Sequence, residues 1–226
     1  MVYIFVDFEM EKTDKRYKSE RSFCRQEIIE IGAVMLNESF EEISTFKRYV
    51  KPAYIDHISR KITELTGITD NYLFGMKQVE TELNAFADWC LSQGEDFKVY
   101  AWSENDLEQV ENELLLKDID ITEAMTKVLS NWNDLQLEYD VAVGATKSTS
   151  LTKALESIGV YFNGRMHDAL DDSRNTATIF KELSNPEEFQ KSIAYIKSFY
   201  SEDKKDSGTT IGDLIDFSKF NFDFCA

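Results

Sequence analysis

The sequence predicts an α/β fold in which a mixed central sheet is flanked by helices. Two patterns carry that prediction. The first fifty residues hold three apolar runs rich in β-branched and aromatic side chains, with connections that suit antiparallel hairpins. Beyond them, amphipathic helical stripes alternate with a further strand, and such alternation builds parallel pairs.

The elements follow in order. Val2 to Val6 reads as a buried strand, Glu27 to Leu36 as a second and Phe46 to Val50 as a third. Ser59 to Thr66 is a helix that Gly67 terminates. From Val79 to Leu91 the apolar positions Val79, Leu83, Phe86, Ala87 and Cys90 make a helical stripe that closes at Gly94. Phe97 to Trp102 is another strand. Leu107 to Leu116, Thr122 to Leu129, Leu151 to Ile158 and Ala169 to Leu183 have helical patterns. Asn185 followed by Pro186, Glu187 and Glu188 is a helix start, because a cap, a pre-set φ and acids at the positive dipole end coincide. That helix is expected to run to about Tyr200. Residues 1–200 are therefore expected to be one domain and 201–210 a polar linker. Residues 211–226 are a Phe-rich segment, too apolar for a solvated tail. It either packs back on the domain or docks on a protein partner, and packing back is the first expectation.

Composition narrows the function. The chain has 226 residues, of which 42% are hydrophobic, enough to bury a sizeable core. Its 25 basic and 42 acidic side chains give a formal net charge of −17, which argues against a broad non-specific grip on duplex nucleic acid. One stretch departs from this balance. Residues 11–25, EKTDKRYKSERSFCR, hold six basic and three acidic side chains and read as an insertion, either solvated or guiding phosphates. Cys24, Cys90 and Cys225 form no C-x-x-C pair, so reduced thiols in a cytoplasmic protein are expected. The opening MVYIFVDFEM predicts neither a signal peptide nor a membrane span.

Three short segments hold candidate chemistry. Asp7 and Glu9 stand at i and i+2 on the end of an apolar strand, so both point to one face. Two like charges beside a core are costly unless a cation separates them. In YAWSENDLEQV, Asp106 falls at the start of a helix directly after a strand, where a plain helix-start acid is the alternative reading. In HDALDDS, His167 precedes a helix and Asp172 lies five residues on. Asp171 is one position off and would face about 100° away on the helix.

Taken together, Asp-x-Glu, then Asp after a strand, then His-x-x-x-x-Asp resembles the DEDDh family of 3′-to-5′ exonucleases, of the ribonuclease-H-like superfamily. QEIIEIGAV, the segment ending LTGIT, and HDALDDSRNTATIF resemble that family too, and the likeness spans about residues 2–183. The resemblance implies a ribonuclease-H-like fold. It also implies a phosphodiester hydrolase that removes 5′-mononucleotides from the 3′ end of single-stranded RNA or DNA. It implies that Asp7, Glu9, Asp106 and Asp172 bind two Mg²⁺ or Mn²⁺ ions and that His167 is the general base toward the attacking water. An all-oxygen carboxylate set suits those hard cations and not zinc. A His with an unperturbed pKa of about 6.5 suits proton transfer near neutrality. Phe8 and Met10 are expected to border the terminal nucleotide, and Leu65, Thr66, Gly67 and Ile68 to form the pocket for its base. The rival reading is a non-catalytic nucleic-acid-binding or regulatory module of the same fold.

Overall fold

A computed structural model of the chain describes residues 1–94, 96–185, 189 and 196. The expected helix from Asn185 to Tyr200 falls largely outside the described residues. The linker 201–210, the segment 211–226 and Cys225 fall wholly outside them.

The chain divides into two compact units, Met1–Asp134 with Asn163–Arg174, and Leu135–Phe162 with Asn175 onward. The first unit is built on a mixed five-stranded sheet. Its strands are β1 (Val2–Lys12), β2 (Gln26–Leu36), β3 (Glu42–Tyr49), β4 (Phe97–Ala101) and β5 (Trp132–Asp134), in the order β3-β2-β1-β4-β5. The pairs β1/β2 and β2/β3 are antiparallel, whereas β1/β4 and β4/β5 are parallel. The hairpin and crossover patterns of the sequence thus lie side by side in one sheet, as expected.

The central strands are apolar on both faces, with Ile4 and Val6 buried on one and Phe5 and Val34 on the other. Ile4, Val6, Phe8, Ile31, Ala33 and Val99 pack with Leu83, Phe86, Val110 and Val128 in one buried cluster. Three elements close that side: α4 (Val79–Cys90), α5 (Asn105–Leu116) and α6 (Glu123–Ser130). Earlier in the chain lie the short α1 (Lys18–Phe23), α2 (Arg60–Thr66) and α3 (Asp70–Leu73). Ser59 caps α2 by accepting from the Ile62 N–H, and Gly67 ends it with φ +75°, a left-handed conformation that favours glycine.

The second unit holds α7 (Leu135–Val143), α8 (Leu151–Ser157) and all but the first turns of α9 (Ala169–Leu183). Within it the Tyr139 hydroxyl meets the Ser157 hydroxyl in a buried hydrogen bond, and Ser157 Oγ donates to the Ala154 carbonyl at 2.7 Å.

Candidate active site

Each acidic candidate is placed by a different piece of backbone. Asp7 and Glu9 sit on β1, opposite Gly32 and Glu30 of β2, with the register shifting just after Glu9. Asp106 is the second residue of α5 and accepts a hydrogen bond from the Phe8 N–H, which fastens it to the strand between the other two acids. The rest of α5 is anchored on β2. Gln109 Nε2 donates to the Gln26 carbonyl at 2.8 Å, and the Ile28 N–H donates to Glu113 Oε1 at 2.5 Å. Lys117 then pairs with both Glu113 and Glu27.

His167 and Asp172 come from the start of α9. That helix approaches β2 so closely that a Cβ at Gly32 would overlap the backbone of Ala169 and Leu170. Glycine at 32, opposite Asp7, is what lets the last acid reach the strand. The Asp172 N–H donates to the Asp168 carbonyl at 2.8 Å, and Asp172 Oδ2 accepts from the His167 N–H at 3.0 Å. His167 adopts φ +62° and is exposed, at the solvent edge of the acids. Glu9, His167 and Asp172 each offer a ligand atom within 4.8 Å of the other two.

The electrostatics match this convergence. Burial pushes the Asp7 carboxyl well above its usual range, and the charges of Asp106, Asp172, Glu9 and Glu30 push it further. Burial, then Asp172 and Glu30, raises Glu9 to about 8. Asp106 is raised to about 7 by burial, against the opposing Phe8 N–H, with Asp134 and Asp172 adding to it. Asp172 reaches about 7 by burial, against the opposing His167 N–H. Buried carboxyls raised by desolvation and by acidic neighbours, with Asp172 acting on Asp7, Glu9 and Asp106, form a centre that holds protons or a divalent cation. A carboxylate-oxygen donor set with one imidazole at the edge fits a hard divalent cation.

The neighbouring acids have other partners. Asp171 accepts from the Arg165 N–H at 2.9 Å and lies 3.6 Å from Arg174. Asp168 accepts from the Leu170 N–H at 3.2 Å and pairs with Lys47 at 2.5 Å. His57 binds Asp70 at 3.0 Å.

The expected substrate residues divide. Met10 lines an open cavity beside Asp106. Phe8 is 6% exposed and belongs to the core, which leaves its ring little surface for the expected contact with a nucleotide. Leu65 is exposed, while Thr66 is buried and its hydroxyl donates to the Ile62 carbonyl at 2.9 Å. Ile68 is packed with Ile29 and Leu73. Of that turn, Leu65 is exposed and Gly67 is half-buried.

Three further residues bear on the site and were not foreseen. Lys47 Nζ lies 3.0 Å from Glu30 Oε1 as well as against Asp168, and so joins β2, β3 and the start of α9. Arg165 donates to the Leu65 carbonyl at 3.1 Å, with its guanidinium against Gly67. It therefore couples the LTGI turn to the loop carrying His167. The alternation of strand β2 could have flagged Glu30, an acid in a run of buried apolar residues. Nothing local in the sequence marks Lys47 or Arg165: Asp168 lies 121 residues from Lys47, and Leu65 lies 100 residues from Arg165.

These features define a class: a ribonuclease-H-like α/β nuclease fold with an acidic centre at the edge of β1. The family model described as RNase_T, exonuclease, matches residues 4–180. The nuclease domain of 3′hExo, a DEDDh family member solved bound to rAMP, superposes with a TM-score of 0.69 at 25% identity, over 83% of this chain and 94% of that one. The chain belongs to this family of DEDDh-type 3′-to-5′ exonucleases. Among curated relatives, ERI1 exoribonuclease 2 of Danio rerio is 32% identical over 200 residues, covering 80% of this chain and 34% of the relative. The 3′-5′ exoribonuclease 1 of Rattus norvegicus is 28% identical over 162 residues, covering 68% and 45%. The chain thus spans about a third to a half of the length of these relatives. Escherichia coli Exonuclease I in complex with a dT13 oligonucleotide shares the fold, with a TM-score of 0.61 at 16% identity over 84% of this chain and 43% of that one.

Proposed function

We propose that this chain is a metal-dependent 3′-to-5′ exonuclease that hydrolyses single-stranded RNA or DNA from its 3′ end and releases 5′-mononucleotides. The observation that carries the reading is the convergence of Asp7, Glu9, Asp106 and Asp172, with His167 at their exposed edge. The relatives named as exoribonucleases favour RNA.

Asp7, Glu9, Asp106 and Asp172 would hold two Mg²⁺ or Mn²⁺ ions, which when bound supply Lewis-acid stabilisation for the entering and leaving oxygens of an in-line displacement. The chain's own residues do the rest. His167 is exposed and its backbone is tied to Asp172, so the ring stands beside the acids with access to solvent water. It acts as the general base that takes a proton from the attacking water, and its ring then carries that proton to solvent. Met10 borders the terminal nucleotide, and Leu65 with the Gly67 backbone receives its base. Arg165 holds that turn against the loop of His167, which keeps base recognition and proton transfer in register.

The test uses end-labelled RNA and DNA oligonucleotides with a free or a blocked 3′ terminus, in Mn²⁺, Mg²⁺ or chelator. Stepwise shortening of the free-ended strand in metal, with 5′-mononucleotides as product, is expected. Binding without cleavage under every condition would instead indicate the non-catalytic module.

A further inference from the structure

A large, open cavity lies beside Asp106. Its volume is about 930 Å³, near the top of the range of roughly 300–1,000 Å³ for ligand sites. One wall is the insertion and the strand ends it joins, which contribute Lys12, Arg21, Phe23 and Arg25. The other is the start of α5, which contributes polar side chains with Asp106 and Glu108. Cations therefore line one side of a groove that opens at a metal-site acid, in a chain whose formal net charge is −17.

The insertion is fixed in place. The Thr13 N–H donates to the Arg25 carbonyl at 3.0 Å, Thr13 Oγ1 donates to the Cys24 carbonyl at 3.0 Å, and Arg21 donates to the Thr13 carbonyl at 3.0 Å. Helix α1 buries none of its residues, so apolar packing does not explain its sequence. Phe23, at its end, is 52% exposed. Lys12 and Arg25 are exposed and form no ion pair among the described residues. A cationic groove with an exposed aromatic ring is the composition that holds single strands, with phosphates on the cations and a base on the ring. Lys12 lies three residues beyond Glu9 on β1, roughly 10 Å along the strand at about 3.3 Å per residue.

We propose that this groove binds the single-stranded segment that precedes the terminal nucleotide, with phosphates on Lys12, Arg21 and Arg25 and a base on Phe23. The proposal rests on the exonuclease reading for its direction, since the strand leads away from the acids. Its charge complementarity is specific to a polyanion, and the flat ring selects a nucleic acid over an acidic peptide.

The experiment measures kcat/KM in Mn²⁺ for a twelve-nucleotide RNA and for a dinucleotide, on the full chain, across a salt series. The variants are Lys12→Gln/Arg25→Gln, the triple variant with Arg21→Gln, Phe23→Ala, and the charge-retaining Lys12→Arg/Arg25→Lys. The double variant spares the Arg21 bond to Thr13, so a folding defect in the triple does not decide the outcome. The ratio of long to short substrate should fall at least tenfold in the triple variant, through KM, and recover in the charge-retaining one. At about 0.7 per phosphate contact on single strands, losing three contacts should flatten the salt slope by about 2. A wild-type ratio and slope in the double and triple variants would overturn the groove. So would a polyglutamate peptide competing as well as the RNA. If the wild-type chain cleaves neither substrate, the exonuclease reading has failed. The groove is then judged by titrating a fluorescent twelve-nucleotide RNA into the same proteins, and equal affinities would overturn it.

Discussion

At the scale of single residues, His167 and Asp172 have separable roles. His167→Ala should lower single-turnover cleavage by about 10²–10⁴-fold, with activity partly regained at high pH, while calorimetric Mn²⁺ affinity changes little. A wild-type rate, or outright loss of metal binding, would remove His167 from the base role. Asp172→Asn should abolish most turnover, whereas Asp171→Asn should keep much of it, because Asp171 is committed to Arg165 and Arg174. Lys47→Met strips the buried Glu30 of its partner and releases Asp168. It should destabilise the fold by roughly 3 kcal/mol, the range for breaking a buried pair. Chemical denaturation reads that loss, and an unchanged midpoint would show the pair to be idle. The sequence exposed the first two residues because Asp-x-Glu and His-x-x-x-x-Asp are local spacings. It hid Lys47 and Arg165 because their meaning lies in partners that only folding brings near.

At the scale of elements, the helix carrying Asp172 reaches β1 through one missing Cβ. Gly32→Ala should force α9 off the strand, at about 1–3 kcal/mol for overpacking, and lower kcat together with the melting temperature. Retained activity with lowered stability would mean that the helix start and its acids move as one. Apolar runs located the core of each strand but not its ends. Strand β1 was expected to stop at Val6 and continues to Lys12, because its pairing with β2 runs on through polar residues. Strand β3 begins at Glu42, not Phe46, since an edge strand carries exposed polar side chains that give no apolar signal. Helix α9 matched its expected bounds, having a long regular stripe. Helices α1, α3 and α7 and strand β5 went unforeseen. The first buries nothing, α3 and β5 are too short for periodicity, and α7 carries apolar residues all round with little contrast between faces.

At the scale of the whole molecule, acidic repulsion couples stability to pH and to metal. The carboxyls of Asp7, Glu9, Asp106 and Asp172 all have folded pKa values above the ordinary carboxylate range, with Glu30, Asp134 and Asp168 adding charge nearby and Lys47 offsetting it. The folded state then holds protons that the unfolded chain has released, so stability is fullest below about pH 4 for these groups and is lost as pH rises through about 7 to 8. Metal-free protein should therefore melt at falling temperature across that window, and saturating Mn²⁺ should flatten the profile by replacing the protons. A melting temperature that rises with pH in chelator would contradict the assignment of these acids as one coupled centre. Exonuclease activity at this centre is read from one time course: a 5′-labelled single-stranded RNA with Mn²⁺, incubated with the wild-type chain and with Asp7→Asn. The wild type should give a ladder that shortens one nucleotide at a time from the 3′ end, and the variant should leave the strand intact. Internal fragments, or an unchanged ladder with Asp7→Asn, would contradict it.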